Sequence, residues 1–217
     1  EAALRAQPAA PWWSMERWRQ PKLHWGQPAP GSVQMLWANM ALHNHPHPQQ
    51  LIHSWYQALA VGGFVMFSCL GPDTLKELRA AYTQQGWPPP GQDFTDMHDW
   101  GDMLVHAGFA EPVMDMERIT LSYSSAQKLR AELRELGRNL HPARFTGLRG
   151  RQWLAQWDAV LTQQLASAQE EGRLLVTFEI IYGHAFKPAP RVKVQGESSI
   201  SVQDMQQMLR QGRTKSE

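Results

Sequence analysis

VQMLWANMALHNHPHPQQLIHSWYQALAVGGFVMFSCLGPDTL, residues 33–75, is the stretch that decides the fold. Met35-Leu36-Trp37-Ala38 is an apolar run that stops at Asn39, and Phe64 to Cys69 is a second one. Between them Leu51, Ile52, Trp55, Tyr56 and Leu59 recur at helical spacing. Pro48 suits the first turn of that helix, and Gly62-Gly63 is expected to break it. Leu70-Gly71-Pro72-Asp73 turns the chain, and Thr74 with Glu77 has the spacing of a capping box for a following helix. The order is strand, helix, strand, helix. Strands apolar on both faces belong in a parallel sheet covered by helices, and such sheets bind ligands beyond the carboxyl ends of their strands. Those ends carry Asn39-Met40-Ala41-Leu42-His43 and Leu70-Gly71-Pro72-Asp73.

Composition narrows the function classes. The 217 residues suffice for one domain with a substantial core, and 19% charged with 42% hydrophobic residues is ordinary for a globular protein. A formal net charge of +1 argues against a polyanion binder, so no nucleic-acid partner is expected. A single cysteine, Cys69, forbids an internal disulfide and fits a reducing, cytoplasmic compartment. No apolar run reaches the ~18 residues of a membrane span, and there is no signal-peptide pattern. A monomer is expected.

Outward from the central stretch, Glu1 to Pro30 is rich in Trp and Pro (Trp12, Trp13, Trp18, Trp25) and is expected to cover the sheet rather than join it. Gly86 to Gly91 forms a rigid surface loop. Asp96 to Ala107 carries Met97, Trp100, Leu104 and Ala107 on one helical face, with Gly108 ending it. Pro112 to Tyr123 alternates as a strand. Ser125 caps a helix bearing Leu129, Leu133, Leu136 and Leu140, and a second helix runs from about Arg149 to Gln169 with Trp153, Trp157, Val160, Leu161 and Leu165 inward. Leu174 to Phe186 is a last strand, central or paired with the preceding strand as an antiparallel edge. Ser201 and Asp204 box a short helix in the tail.

His43, His45, His47 and His53 invite a zinc reading, but Pro46 and Pro48 stiffen the run and no Asp or Cys stands among the histidines. No metal is expected. Cys69 at the end of a buried strand lacks a neighbouring base and is expected to be a packed thiol. Asp73 is expected to cap its helix. Arg130, Arg134 and Arg138 recur at every fourth position and either meet an acidic partner or form a solvated face.

LWANMALH, the following helix, and FVMFSCLGPDTLKEL resemble the fourth and fifth strands of class I S-adenosylmethionine-dependent methyltransferases. FTDMHDWGDMLVHAGFAEPVMDMERITLSY and ELRELGRNLHPARF narrow the resemblance to the malonyl-acyl-carrier-protein O-methyltransferases of biotin synthesis. It covers roughly Ser32 to Arg191. It implies an α/β, Rossmann-like, mostly parallel sheet with an antiparallel edge strand, an inserted helical cap, and first strands that are missing. The implied segments are a remnant of the cofactor half at 1–30, a core at 31–124 and 172–190, the cap at 125–171 and a tail at 191–217.

The resemblance implies S-adenosylmethionine as cofactor, held at Asn39, Met40, Ala41, Leu42 and His43. The implied partner is malonyl-acyl carrier protein, with Leu70, Gly71, Arg138, His141 and Arg144 holding the substrate. A malonyl thioester ends in a free carboxylate, and selecting it calls for a cation such as Arg. The sulfonium methyl is already activated, so transfer needs positioning and no catalytic acid or base. No G-x-G-x-G occurs in the chain, Gln34 stands where the family usually has Asp, and the family's acid for the adenine amino group has no clear match. The alternative is therefore a non-catalytic or truncated methyltransferase-like binding module.

Overall fold

The largely apolar runs at 35–38 and 64–69 call for neighbouring strands and covering helices. The structure is a computed structural model that describes residues 25–190. Strand β1 (Val33–Asn39) leads through a 3-10 turn (Leu42–Asn44) and helix α1 (Pro48–Ala58) to β2 (Leu59–Leu70), parallel to β1. Helices α2 (Lys76–Gln84) and α3 (Met97–His106) precede β3 (Ala110–Tyr123). Helices α4 (Ala126–Glu135) and α5 (Arg151–Leu165) precede β4 (Leu174–Phe186).

The sheet is mixed, in the order β1-β2-β4-β3, and β4 is antiparallel to both of its neighbours. The last strand is thus central and antiparallel at once, and β3 forms the edge beyond it. One face is a core. Val65, Phe67, Cys69, Ile181 and Ala185 pack with Ile52 and Trp55 of α1 and Trp100 and Leu104 of α3. Full burial of each such aliphatic side chain contributes roughly 1.5–3 kcal/mol. Gly183 is required here, because a Cβ on it would lie 2.2 Å from the Phe67 ring. A second core joins Leu174 and Val176 of β4 to Leu78 and Tyr82 of α2, Leu129 of α4, and Trp157 and Leu161 of α5. There the Trp157 indole N–H donates to the Tyr82 hydroxyl at 2.8 Å. The cross-strand row Trp37, Met66, His184 and Val113 lies on the sheet's other face, with Trp37 73% and Val113 62% exposed.

Local signals place most helix ends. Pro48 stands at the start of α1. The Asp96 side chain accepts from the His98 N–H to open α3, and Ser125 accepts from the Lys128 N–H to open α4. Gly108, at φ +101°, closes α3: its N–H reaches the Val105 carbonyl while that of Phe109 reaches Leu104, the paired bonds of a Schellman motif.

Five expectations need correction. Gly62-Gly63 does not end α1; the helix passes straight into β2 at Leu59. The glycines instead build a bulge where the β1–β2 register shifts, and a Cβ on Gly63 would meet the Gln34 carbonyl at 2.9 Å. Thr74 and Glu77 form no capping box. The Thr74 hydroxyl bonds the backbone of Glu179, and the Glu77 carboxylate accepts from the Thr177 N–H at 3.0 Å. Asp73 does not cap α2; its carboxylate pairs with Arg118 at 2.7 Å and Lys76 at 3.4 Å. Leu136 and Leu140 lie beyond the end of α4 and are exposed, and Arg138 is likewise off the helix. Arg130 pairs with Asp158 at 2.7 Å, so the three arginines do not form one free face. The expectations for Trp12, Trp13 and Trp18 and for the Ser201–Asp204 helix fall outside the described residues.

Candidate functional site

The carboxyl ends of β1 and β2 open into a cavity of about 480 Å³, within the usual size range for small-molecule sites. Met40 and His43 line it after β1, and Leu70, Thr74, Leu75 and Leu78 after β2. Pro90, Gln92 and Phe94 come from the loop before α3, Phe178 from β4, and Leu133 with residues 135–140 from the end of α4 and the segment after it. The wall is mainly apolar, with Glu135 and Arg138 as its charged residues.

The backbone of this site is held in unusual conformations. Met40 (φ 51°) and Leu75 (φ 57°) are left-handed without being glycine, and both line the cavity. Such residues carry strain of order 1–3 kcal/mol and persist where surrounding contacts over-determine them. The Met40 N–H is fixed by both the carbonyl and the hydroxyl of Ser68, and that hydroxyl in turn donates to the Asn39 side chain. Leu75 is fixed by its N–H to the Thr177 carbonyl at 2.7 Å.

His43 ties the two strand ends together. Its Nδ1 accepts from the Leu70 N–H at 3.2 Å, and its ring meets Phe94 edge-on at 5.7 Å. Burial lowers its pKa, so the imidazole is neutral at pH 7. Gln92 bonds the His43 carbonyl at 2.8 Å and so fastens the loop before α3 to the turn after β1.

The turn after β2 rests on a buried carboxylate. Glu179 accepts from the Asp73 N–H at 2.7 Å and pairs with Arg118 at 3.4 Å. Gly71 passes so close that a Cβ on it would fall 2.7 Å from Glu179 Oε2. The Arg79 guanidinium donates to the carbonyls of Pro72 and Thr74. Burial opposes the charge on Asp73, but Lys76 and Arg118 outweigh it and hold its carboxyl below the usual range.

Of the residues singled out from the sequence, Met40, His43, Leu70 and Arg138 line this one cavity. Arg144 lines a second cavity of about 320 Å³ that shares Pro90 and Asn139 with the first. Leu42 is fully buried in the first core, Asn39 is engaged with Ser68, and Gly71 packs on Glu179. Ala41 precedes the 3-10 turn. The His141 Nε2 lies 3.7 Å from the Asp93 carboxylate, and its Nδ1 accepts from the Ala143 N–H. Glu179, Gln92, Phe94 and Phe178 were not singled out. Gln92 follows the Pro-rich loop and Glu179 is a lone acid in an apolar strand, a cue that was available.

The histidine run does not converge. His43 faces the cavity, His45 accepts from the His47 N–H, and His53 meets Gln57. Among the described residues no group of three or more His, Cys, Asp or Glu is placed to hold a metal ion. Burial pushes the Cys69 thiol up to about 12. No helix among the described residues is long and apolar enough to cross a membrane.

No family model matches the chain. Among curated proteins it is 42% identical over 164 residues to the malonyl-[acyl-carrier protein] O-methyltransferase of Laribacter hongkongensis, covering 75% of this chain and 54% of that protein. The namesake of Gallionella capsiferriformans is 42% identical over 173 residues, covering 79% and 58%. The solved Bacillus halodurans protein BH2331 matches at 14% identity with a TM-score of 0.48, over 74% of this chain and 72% of that one. The last likeness is too loose to carry an argument, and the fold rests on the strands themselves. Over about three quarters of its length the chain is a relative of the malonyl-[acyl-carrier protein] O-methyltransferases, and it spans somewhat over half the length of those it matches.

Proposed function

We propose that the chain serves an S-adenosylmethionine-dependent O-methyltransferase that esterifies the free carboxylate of malonyl-acyl carrier protein in the cytoplasm, on the route to pimelate and biotin. The observation that carries this reading is the cavity at the β1 and β2 ends, because its apolar wall contains a single cation, Arg138. Arg138 forms no ion pair with another described residue and is available to a carboxylate.

The residues present fit the methionyl end of the donor. Met40 and Leu70 offer apolar contact, and the neutral His43 ring adds no charge to repel a sulfonium. The Met40–His43 turn, strained and doubly anchored on Ser68, would hold that end in place. The donor supplies an activated methyl group on sulfur. The chain's part is to align the acceptor oxygen, exclude water and neutralise the acceptor's charge until transfer. Arg138 orients the carboxylate, and Leu75, Leu78, Leu133 and Phe178 keep the site dry. A carboxylate oxygen needs no proton removed, so no general base is assigned.

Arg138→Ala tests the reading. Loss of one charge-assisted pair of about 1.5–3 kcal/mol predicts a KM for malonyl-acyl carrier protein raised on the order of 10- to 100-fold, with binding of S-adenosylhomocysteine unchanged. An unchanged KM would remove Arg138 from the acceptor site.

A further inference from the structure

We infer that the second cavity, bounded by Arg144 and Arg149, is a phosphate subsite that grips the phosphodiester of the carrier protein's 4′-phosphopantetheine arm. The inference rests on the acyl-carrier reading above and extends it from the acyl end to the arm.

Three independent observations converge on this subsite. The two cavities share Pro90 and Asn139 and so adjoin at these residues. Asn139 is rigidly held at this junction, donating to the Pro89 carbonyl at 2.7 Å and accepting from the His141 N–H at 2.9 Å. From Leu136 to Trp157 the sequence contains Arg138, Arg144, Arg149, Arg151 and His141 and no acidic residue.

The cations bounding the second cavity lack acidic partners among the described residues, although Arg144 donates to the His141 carbonyl at 3.2 Å. Neither Arg144 nor Arg149 pairs with a carboxylate among the described residues. Arg149 is held between two rings, its Cζ 3.9 Å from the centroid of Trp153 and 4.6 Å from that of Phe145. It also bonds the Tyr82 hydroxyl. Ring contacts restrict the guanidinium without neutralising its charge, and arginine's fork suits phosphate oxygens. An apolar cavity with one cation, adjoined by a second cavity with two guanidinium groups that pair with no described carboxylate, matches a ligand with an acyl acid at one end and a phosphodiester along its arm.

The test is a calorimetric titration of the whole chain with 4′-phosphopantetheine and with pantetheine, which differ by the phosphate alone. Wild type is expected to bind the phosphorylated compound at least 10-fold more tightly. Arg144→Gln with Arg149→Gln should erase that preference while leaving pantetheine binding unchanged. Equal affinity for the two compounds, or no binding of either, overturns the subsite. Inorganic phosphate competing as strongly as 4′-phosphopantetheine would also overturn it, because the site would then be a general anion trap. Methyl transfer to malonyl-4′-phosphopantetheine is scored separately. A phosphate preference without methyl transfer leaves the subsite standing and defeats the proposed reaction.

Discussion

His43 Nδ1 accepts a hydrogen bond from the backbone N–H of Leu70, 27 residues away, at 3.2 Å. This contact joins the carboxyl ends of the two parallel strands at the cavity wall, and it requires an unprotonated Nδ1. Burial lowers the His43 pKa below its ordinary 6.5. Below about pH 6.5 the unfolded chain therefore binds a proton that the folded chain refuses. The stability from this group is full above that pH and is lost as pH falls towards the folded value. The Tm advantage of wild type over His43→Gln should shrink between pH 8 and pH 5.5. A constant difference across that range would show that His43 does not titrate with folding.

Glu179 holds the turn that forms the cavity's β2 wall, through the Asp73 N–H and Arg118. Truncation to Ala leaves the part-buried Asp73 N–H without its acceptor and Arg118 with the Asp73 carboxylate alone. Loss of hydrogen bonds to a charged, buried group predicts destabilisation of about 2–3 kcal/mol, measured by urea unfolding. A loss under about 0.5 kcal/mol, the range of ordinary surface substitutions, would mean the turn is held by Arg79 and Thr74 alone.

Gly183 leaves room for the Phe67 ring in the main core. Gly183→Ala should overpack that core by roughly 1–3 kcal/mol and lower the Tm by several degrees. The double variant Gly183→Ala with Phe67→Leu should recover part of the loss. Non-recovery would place the strain elsewhere.

Glu135 lines the same cavity as Arg138. If the acceptor is a carboxylate, Glu135→Gln removes a like charge and should lower KM for malonyl-acyl carrier protein severalfold at low salt, with the effect fading as salt rises. A raised KM would point to a neutral or cationic acceptor.

Much of this was legible in the sequence because it is local. Two unalternating apolar runs gave β1 and β2, helical spacing gave α1 and α3, and Asp96, Ser125 and Gly108 marked helix ends. What failed was local grammar answered from far away. Thr74 and Glu77 have capping-box spacing, yet their side chains bond Glu179 and Thr177, about a hundred residues on. Gly62-Gly63 looks like a helix breaker but serves a bulge against β1. Leu136 and Leu140 continue a helical period that Gly137, at φ +114°, cuts off. The lining of the candidate cavity was half legible. Strand ends predicted Met40, His43 and Leu70, while Phe94 and Phe178 reach the cavity by tertiary packing that no spacing reveals.

The most direct test is transfer of labelled methyl from S-adenosylmethionine to malonyl-acyl carrier protein by the full natural polypeptide, with acetyl-acyl carrier protein as control. A base-labile methyl ester is expected on the malonyl carrier, none on the acetyl carrier, and a marked loss with Arg138→Ala. Binding of S-adenosylhomocysteine without any ester on the malonyl carrier would contradict the proposed reaction.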